Sequence, residues 1–328
     1  MKRTIRIIIT ASLQVTVCLC FLCCSDKSDD FTIVRFDTDL YLYLTNNEPD
    51  SILQKHSVFL DILGGGILDV GTSESIGFYS RLKDYFSEPT LMRIYSDEQK
   101  KFSDLTAMNK ELSKGLRTLL KNFPGIKSPE VYIHVSGFSQ NIIVTDDILS
   151  LSGDKYLGPD YPVYLSFFED YQRRLMCPER IVPDYLLGFM MANLPFSGNY
   201  DVLLDRILYE GKLRYILSKL LPKRRLWEHV GYDREQYEWC IAHQSLIWKT
   251  VLDNQHLFTA DYINTTQYLK EAPYTNFLPV ESPGKAGVWL GFQIISSYMK
   301  NKPGTSLREL MENINYAEIL KQSKYRAG

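Results

Sequence analysis

The first two dozen residues decide how much of this chain is left to fold. Lys2, Arg3 and Arg6 precede an apolar run from Ile7 to Leu22, and the run ends at Cys23-Cys24 ahead of Ser25-Asp26-Lys27-Ser28-Asp29-Asp30. A basic start, a short apolar stretch and small residues at a junction define a secretory signal peptide. The run is short for a membrane-spanning helix, which needs about 20 predominantly apolar residues. Residues 1–23 therefore read as a signal, and about 300 residues remain, enough for one large domain that buries roughly 75% of its unfolded surface.

A cysteine at that junction resembles the bacterial lipoprotein cleavage box, which makes Cys24 the expected lipidated N-terminus of the mature chain. Cys23 stands where Gly, Ala or Ser is usual and is an alternative acceptor, and plain secretion or a retained membrane anchor are the other outcomes such a segment allows. On this reading 24–35 is a lipidated tether and 36–328 a single globular domain in the cell envelope. The outer membrane is the expected membrane, with its periplasmic or surface side left open.

Four of the six cysteines, Cys18, Cys20, Cys23 and Cys24, belong to the signal and its junction. Cys177 and Cys240 remain, and they read as free buried thiols, with pairing in an oxidising envelope the alternative. The formal charge of −2 includes three cations that leave with the signal, so the mature chain sits at about −5. No basic stripe stands out in the sequence, which argues against a nucleic-acid partner. The densest basic cluster, Lys223-Arg224-Arg225, follows a helix and reads as a group complementing its dipole.

Phe31–Leu44 alternates enough to suggest a strand, through Ile33, Val34, Phe36, Leu40, Leu42 and Leu44. Ser73 to Leu120 reads as helical, with Glu74 opening it and Ser96-Asp97-Glu98-Gln99 supplying a cap. Val131–Val135, Asn141–Thr145 and Ile148–Leu151 carry the β signal. Helical segments follow at 182–194, 201–221, 233–258, 261–271, 283–300 and 306–323. The expected fold is α+β, mostly helical with a small mixed or antiparallel sheet.

The helix 201–221 is the first place to look for chemistry. Leu203, Ile207, Glu210, Arg214, Leu217 and Leu221 share one face at 3.6 residues per turn. An acid on an apolar face needs a partner, and Arg206 and Arg214 lie at i−4 and i+4 from Glu210. An ion-pair ladder is the structural reading of Glu210, and a metal ligand or acid/base group the functional one. Asp146 and Asp147, with Asp154 and Asp160 downstream, make an acidic loop after a strand. That loop is a solvated turn or a cation or partner contact, with Arg173 and Arg174 a plausible complement.

The usual catalytic frames are absent from the sequence. His56, His134, His229, His243 and His256 contain no pair at i and i+4, and Cys240 with His243 gives two ligands, too few for structural zinc. Val135-Ser136-Gly137 lacks the frame of a nucleophile elbow, and Gly64-Gly65-Gly66 lacks the Gly-Lys-Ser/Thr of a phosphate loop. Pro283 reads as the first helical residue of the late helix, with Gly287 and Gly291 as a close-packing face.

Several motifs together resemble the gliding-motility lipoprotein GldB family. They are Val135-Ser136-Gly137-Phe138, Val144-Thr145-Asp146-Asp147, Tyr171-Gln172-Arg173-Arg174 and Ile181-Val182-Pro183-Asp184, then Asp205-Arg206-Ile207-Leu208-Tyr209-Glu210-Gly211-Lys212, Ser282-Pro283-Gly284 and Val288-Trp289-Leu290-Gly291. The likeness runs from about Phe36 to Tyr325. It implies a lipid-anchored envelope protein required by the motility machinery, with protein partners in the envelope and no known catalytic activity. A second likeness, to zincin-like predicted zinc peptidases, places Val182–Asn193 where those proteins carry a His-Glu-x-x-His helix, but this stretch has neither His nor Glu. It implies a degenerate peptidase architecture with no metal or cofactor, and Glu210 as the orphan of the old site.

The reading is therefore a non-enzymatic accessory or assembly factor of gliding or associated secretion. One alternative is an envelope hydrolase, peptidase-like, using Glu210 and other carboxylates such as Asp146. The other is a structural lipoprotein that binds the cell wall.

Overall fold

The computed structural model describes residues 30–46 and 48–327, so the expected signal and Cys24 lie outside the described residues. From Phe31 onward the chain forms one compact unit. Phe31 and Ile33 are already in its core, and Val34 makes one parallel bridge to Tyr132.

The strand expected over Phe31–Leu44 is instead a helix, α1 (Phe36–Asn46). Phe36, Leu40 and Tyr43 stand at i, i+4 and i+7 and are the apolar residues fully buried there, so the helical period outweighs the short alternation. Asp37 and Asp39 sit in its first turn, where the dipole favours acids. Five more helices follow: α2 (Ser51–Gln54), α3 (Ser57–Gly66), α4 (Phe78–Tyr85), α5 (Pro89–Lys101) and α6 (Thr106–Asn122). The helical region therefore starts at Phe78 and not at Glu74. Ser96-Asp97-Glu98-Gln99 lies inside α5. The cap there is Glu88, whose carboxylate accepts from the Leu91 N–H at 2.6 Å, with Pro89 at the first helical position.

The sheet is mixed, in the order β1 (Glu130–His134), β3 (Ile148–Ser152), β2 (Ile142–Val144), with β1 parallel and β2 antiparallel to β3. Its two faces differ because side chains alternate along a strand. Val131, Ile133, Leu149 and Leu151 enter the core built with α6 and the helices after the sheet. Tyr132 pairs with Ser150 and His134 with Ser152 on the opposite face, which packs on α1–α5. That face is polar, and its side chains bond to one another while His134 Nε2 stays without a hydrogen-bond partner. His134 Nδ1 meets Ser150 Oγ at 2.7 Å, Ser136 Oγ meets Ser152 Oγ at 2.8 Å, and the Ser152 hydroxyl donates to Asp154.

After the sheet come α7 (Asp170–Arg173), α8 (Ile181–Asn193), α9 (Leu203–Leu220), α10 (Leu226–Val230), α11 (Arg234–Ala242), α12 (Gln244–Asp253), α13 (Tyr262–Leu269), α14 (Ala286–Asn301), α15 (Leu307–Glu312) and α16 (Tyr316–Ser323). Two expected single helices are each broken, 233–258 at His243 and 306–323 around Asn313–Asn315. Pro283 falls outside α14, which begins at Ala286 after Lys285 in the left-handed region. Helix α9 is not a one-faced helix. Leu203, Leu204, Ile207 and Leu208 belong to the core shared with α14, while Leu213, Ile216, Leu217 and Leu220 belong to the core under the sheet. It is the shaft on which both halves are packed, because its two ends enter different cores.

The α9–α14 crossing is set by two glycines. A Cβ at Gly291 would stand 1.7 Å from the Ile207 carbonyl oxygen, and one at Gly211 would stand 2.3 Å from the Gly291 backbone. The packing face expected at Gly287 and Gly291 is therefore a backbone-to-backbone contact. Cys177 and Cys240 are free thiols, Cys240 buried and Cys177 half-buried.

Gly291→Ala should overpack this crossing and destabilise by about 3 kcal/mol or more, whereas Gly304→Ala, with open space around it, should change stability by less than about 1 kcal/mol; urea unfolding of the two variants measures the difference. His134 gives a pH-dependent test. Burial holds its pKa down at about 3, below an unfolded value near 6.5, so stability is complete above pH 6.5 and falls as pH drops from there toward 3. Between pH 6.5 and 5 the parent should lose roughly 1.5 kcal/mol more than His134→Asn, read from urea midpoints at each pH.

Candidate functional site

A cluster of six charged side chains gathers where the start of α8, the middle of α9, the end of α10 and the α13–α14 loop meet. Arg180 is the residue before α8 and pairs with Asp184 one turn on. It also donates through Nη1 to the Glu228 carbonyl at 2.7 Å. Asp184 additionally accepts from the Tyr156 hydroxyl at 3.0 Å. In α9, Arg214 Nη2 meets Glu210 Oε2 at 3.3 Å, with both side chains 13% exposed. The third pair is Lys285 with Glu271.

Lys285 is the most demanding member. It is buried, and it stands in the left-handed region at the positive end of α14, where a cation opposes the helix dipole. Its pKa is lowered, first by burial, with Arg214 and Arg180 acting in the same sense and Glu271 opposing. For Arg180 burial disfavours the charge, but Asp184, with Tyr156 and Cys177 acting in the same sense, offsets it and the pKa is raised. Gly231, left-handed at the end of α10, makes room for both cations: a Cβ there would lie 3.0 Å from Lys285 Nζ. Buried Tyr232 donates to the Gly284 carbonyl at 2.6 Å and closes the loop over the cluster. Three cations face three carboxylates, so the cluster is formally neutral.

Two clefts open onto it. One, of about 240 Å³, is lined by Asp184 and Glu271 with Lys155, Tyr156, Asn141 and Gln172. The other, of about 260 Å³, is lined by Arg180, Gly231 and Tyr232 with Arg174, Cys177 and Trp227.

Of the residues singled out from sequence, the structure joins Glu210 and Arg214 to this cluster and leaves the others elsewhere. Arg206 does not complete the ladder; its guanidinium lies over the rings of Phe196 and Tyr200 at 5.4 and 5.2 Å. Asp146 and Asp147 lie exposed in the β2–β3 turn, where Asp147 pairs with Lys127. The arginines offered as their complement are engaged elsewhere, Arg173 with Asp170 and Arg174 with Asp233 at 3.6 Å. Asp154, expected in the solvated loop, is fully buried and accepts from the Phe138 N–H at 2.9 Å. Its pKa is raised by that burial. Arg224 does more than complement a helix end, since it ties α6 to α10 through Glu111 at 2.6 Å and Glu228 at 3.0 Å.

The histidines are spread through the fold. His56 meets Asp39 at 2.8 Å, His243 stacks on Trp239, and His256 meets the Tyr268 hydroxyl at 2.9 Å. Among the described residues no three of His, Cys, Asp and Glu group so as to hold a metal ion. No helix among them is long and apolar enough to cross a membrane.

Sequence reasoning missed Arg180, Asp184, Glu271 and Lys285 as site residues. The i, i+4 spacing of Arg180 and Asp184 was a usable signal. Lys285 had none, because its partner is fixed by a loop.

The fold and the cluster define a helical α+β domain with a set of mutually paired charges where its helices meet. The chain belongs to the gliding motility protein GldB family, whose profile matches residues 24–327. No curated protein and no solved structure matches the chain. Family membership makes it a gliding-motility-associated lipoprotein of the cell envelope.

Removing one partner of the Arg180–Asp184 pair tests the cluster. Arg180→Met should cost about 3 kcal/mol by leaving Asp184 uncompensated, and adding Asp184→Leu should recover part of that loss; a double-mutant cycle by urea unfolding measures the coupling.

Proposed function

We propose that this chain acts as a non-enzymatic accessory or assembly factor of the gliding machinery or its associated secretion, anchored by lipid at Cys24 in the outer membrane and working through protein partners in the envelope. The observation that carries the non-enzymatic part is the pairing of the candidate carboxylates: Glu210 with Arg214, Asp184 with Arg180 and Glu271 with Lys285. A carboxylate already bonded to a neighbouring cation is not positioned to take a proton from a substrate. Three such pairs suit a rigid junction between helices. The family match supplies the cellular setting.

The test is complementation of a gene deletion in a gliding host. Deletion should abolish gliding, a Glu210→Gln copy should restore it, and a Cys24→Ser copy should not. Loss of gliding with a folded, normally abundant Glu210→Gln protein would favour the hydrolase instead.

A further inference from the structure

The way the chain enters the fold limits which face can meet a membrane. The Phe31 N–H donates to Ser113 Oγ at 3.1 Å and the Ile33 N–H to Asn109 Oδ1 at 3.0 Å, so the chain comes in along α6. Both side chains are buried, which pins this point. Six residues, Ser25 to Asp30, separate Phe31 from Cys24. Fully extended, that stretch spans about 25 Å at most. A domain of this length has a radius of gyration of about 19 Å and a width of about 50 Å. A lipid on Cys24 therefore brings the bilayer to the α6 side and leaves the far side out of reach.

The α6 side is cationic. Lys110, Lys114, Arg117 and Lys121 are all exposed, and at 3.6 residues per turn they fall within a sector of about 60°. Asn109 and Ser113, which hold the entering chain, lie to one side of that sector. The ammonium groups of Lys110, Lys114 and Lys121 meet no carboxylate among the described residues, and neighbouring Glu111 is taken by Arg224. Beside the stripe, a cleft of about 440 Å³ between α6 and the end of α9 adds Lys223. The stripe escapes notice in the linear sequence because two or three other residues separate its members.

We infer that this face of α6 is the membrane-apposed surface of the protein and that it binds the anionic phospholipid headgroups of the bilayer holding its anchor. The inference rests on lipidation at Cys24 and adds the surface and its partner's chemistry to that reading. Asp26, Asp29 and Asp30 give the tether the opposite sign, so the attraction comes from α6. Each cation near an anionic leaflet is worth roughly fivefold in the apposed population, and on a chain of net negative charge such a stripe also orients the body.

The test uses the full lipidated protein, in a Cys177→Ser background, reconstituted into phosphatidylcholine vesicles with and without phosphatidylglycerol. A fluorophore is placed at Lys114→Cys, or at Ile263→Cys on α13 for comparison, with a headgroup-attached nitroxide lipid as quencher. Tether reach alone should give some excess of quenching at 114 over 263; phosphatidylglycerol should raise that excess by about threefold or more, and added salt or Lys110→Glu with Lys121→Glu should remove the increment. Equal quenching at the two positions overturns the inference, and an excess that phosphatidylglycerol does not raise overturns its charge basis. The mass of the N-terminal peptide keeps the premise separate. An unmodified Cys24 overturns the lipid reading, whereas an acylated Cys24 with equal quenching overturns only the assignment of the face.

Discussion

The backbone contact between α9 and α14 is the constraint on which the arrangement of the helical half depends. Gly211 and Gly291 let the two helices cross at a distance no side chain could share. That closeness places Glu210 and Arg214, one residue before and three after Gly211, next to the loop that carries Lys285 into α14. Helix α9 then extends the constraint outward, because its other half forms the core beneath the sheet. Packing density, and not any one polar contact, holds these elements in register.

Around that crossing the protein buries charge and cancels it locally. Replacing a buried ion pair with apolar groups is often neutral or stabilising, so such pairs are weak evidence for stability. Their value here is positional: each joins a helix end or loop to a neighbour that hydrophobic contact alone would leave free to slide. On the other side of the sheet the cancellation is incomplete: Asp37, Glu98 and Asp154 are fully buried, and Arg35 pairs with Asp37. Glu98 is raised well above the ordinary carboxylate range by burial, then by Asp37, and Gln99 donates to both Asp37 and Glu98 at 2.7 and 2.8 Å. An interior organised this way suits a rigid scaffold, and it places the surface most open to a partner outside the charged interior.

Much of the architecture was legible residue by residue. The three strands announced themselves through apolar alternation bounded by Gly and Asp, and α8, α9 and α14 through caps or helical periodicity. The exceptions share a cause. Phe36–Leu44 fits both a period of two and a period of 3.6, and burial on the sheet chose between them. The breaks at His243 and Asn313–Asn315 occur where a helix must turn to follow the core, which local propensity does not record. Glu210 was visible as an acid on an apolar helix, but Arg206 and Arg214 looked equivalent as partners. Phe196 and Tyr200, brought in by a loop, drew Arg206 away.

By itself the sequence determined the fold class, the family and the close-packing role of Gly291, because each follows from residue type and spacing along one segment. Tertiary structure alone decided which charges meet. Lys285 and Glu271 are brought together by a loop, Arg180 reaches the end of α10, and Asp154 moves from a surface turn to the interior. It also decided that Lys110, Lys114, Arg117 and Lys121 form one face beside the point where the chain enters. The physical reason is the same in each case. Periodicity is a local property of the backbone, whereas electrostatic partnership depends on distances that exist only once the helices have crossed.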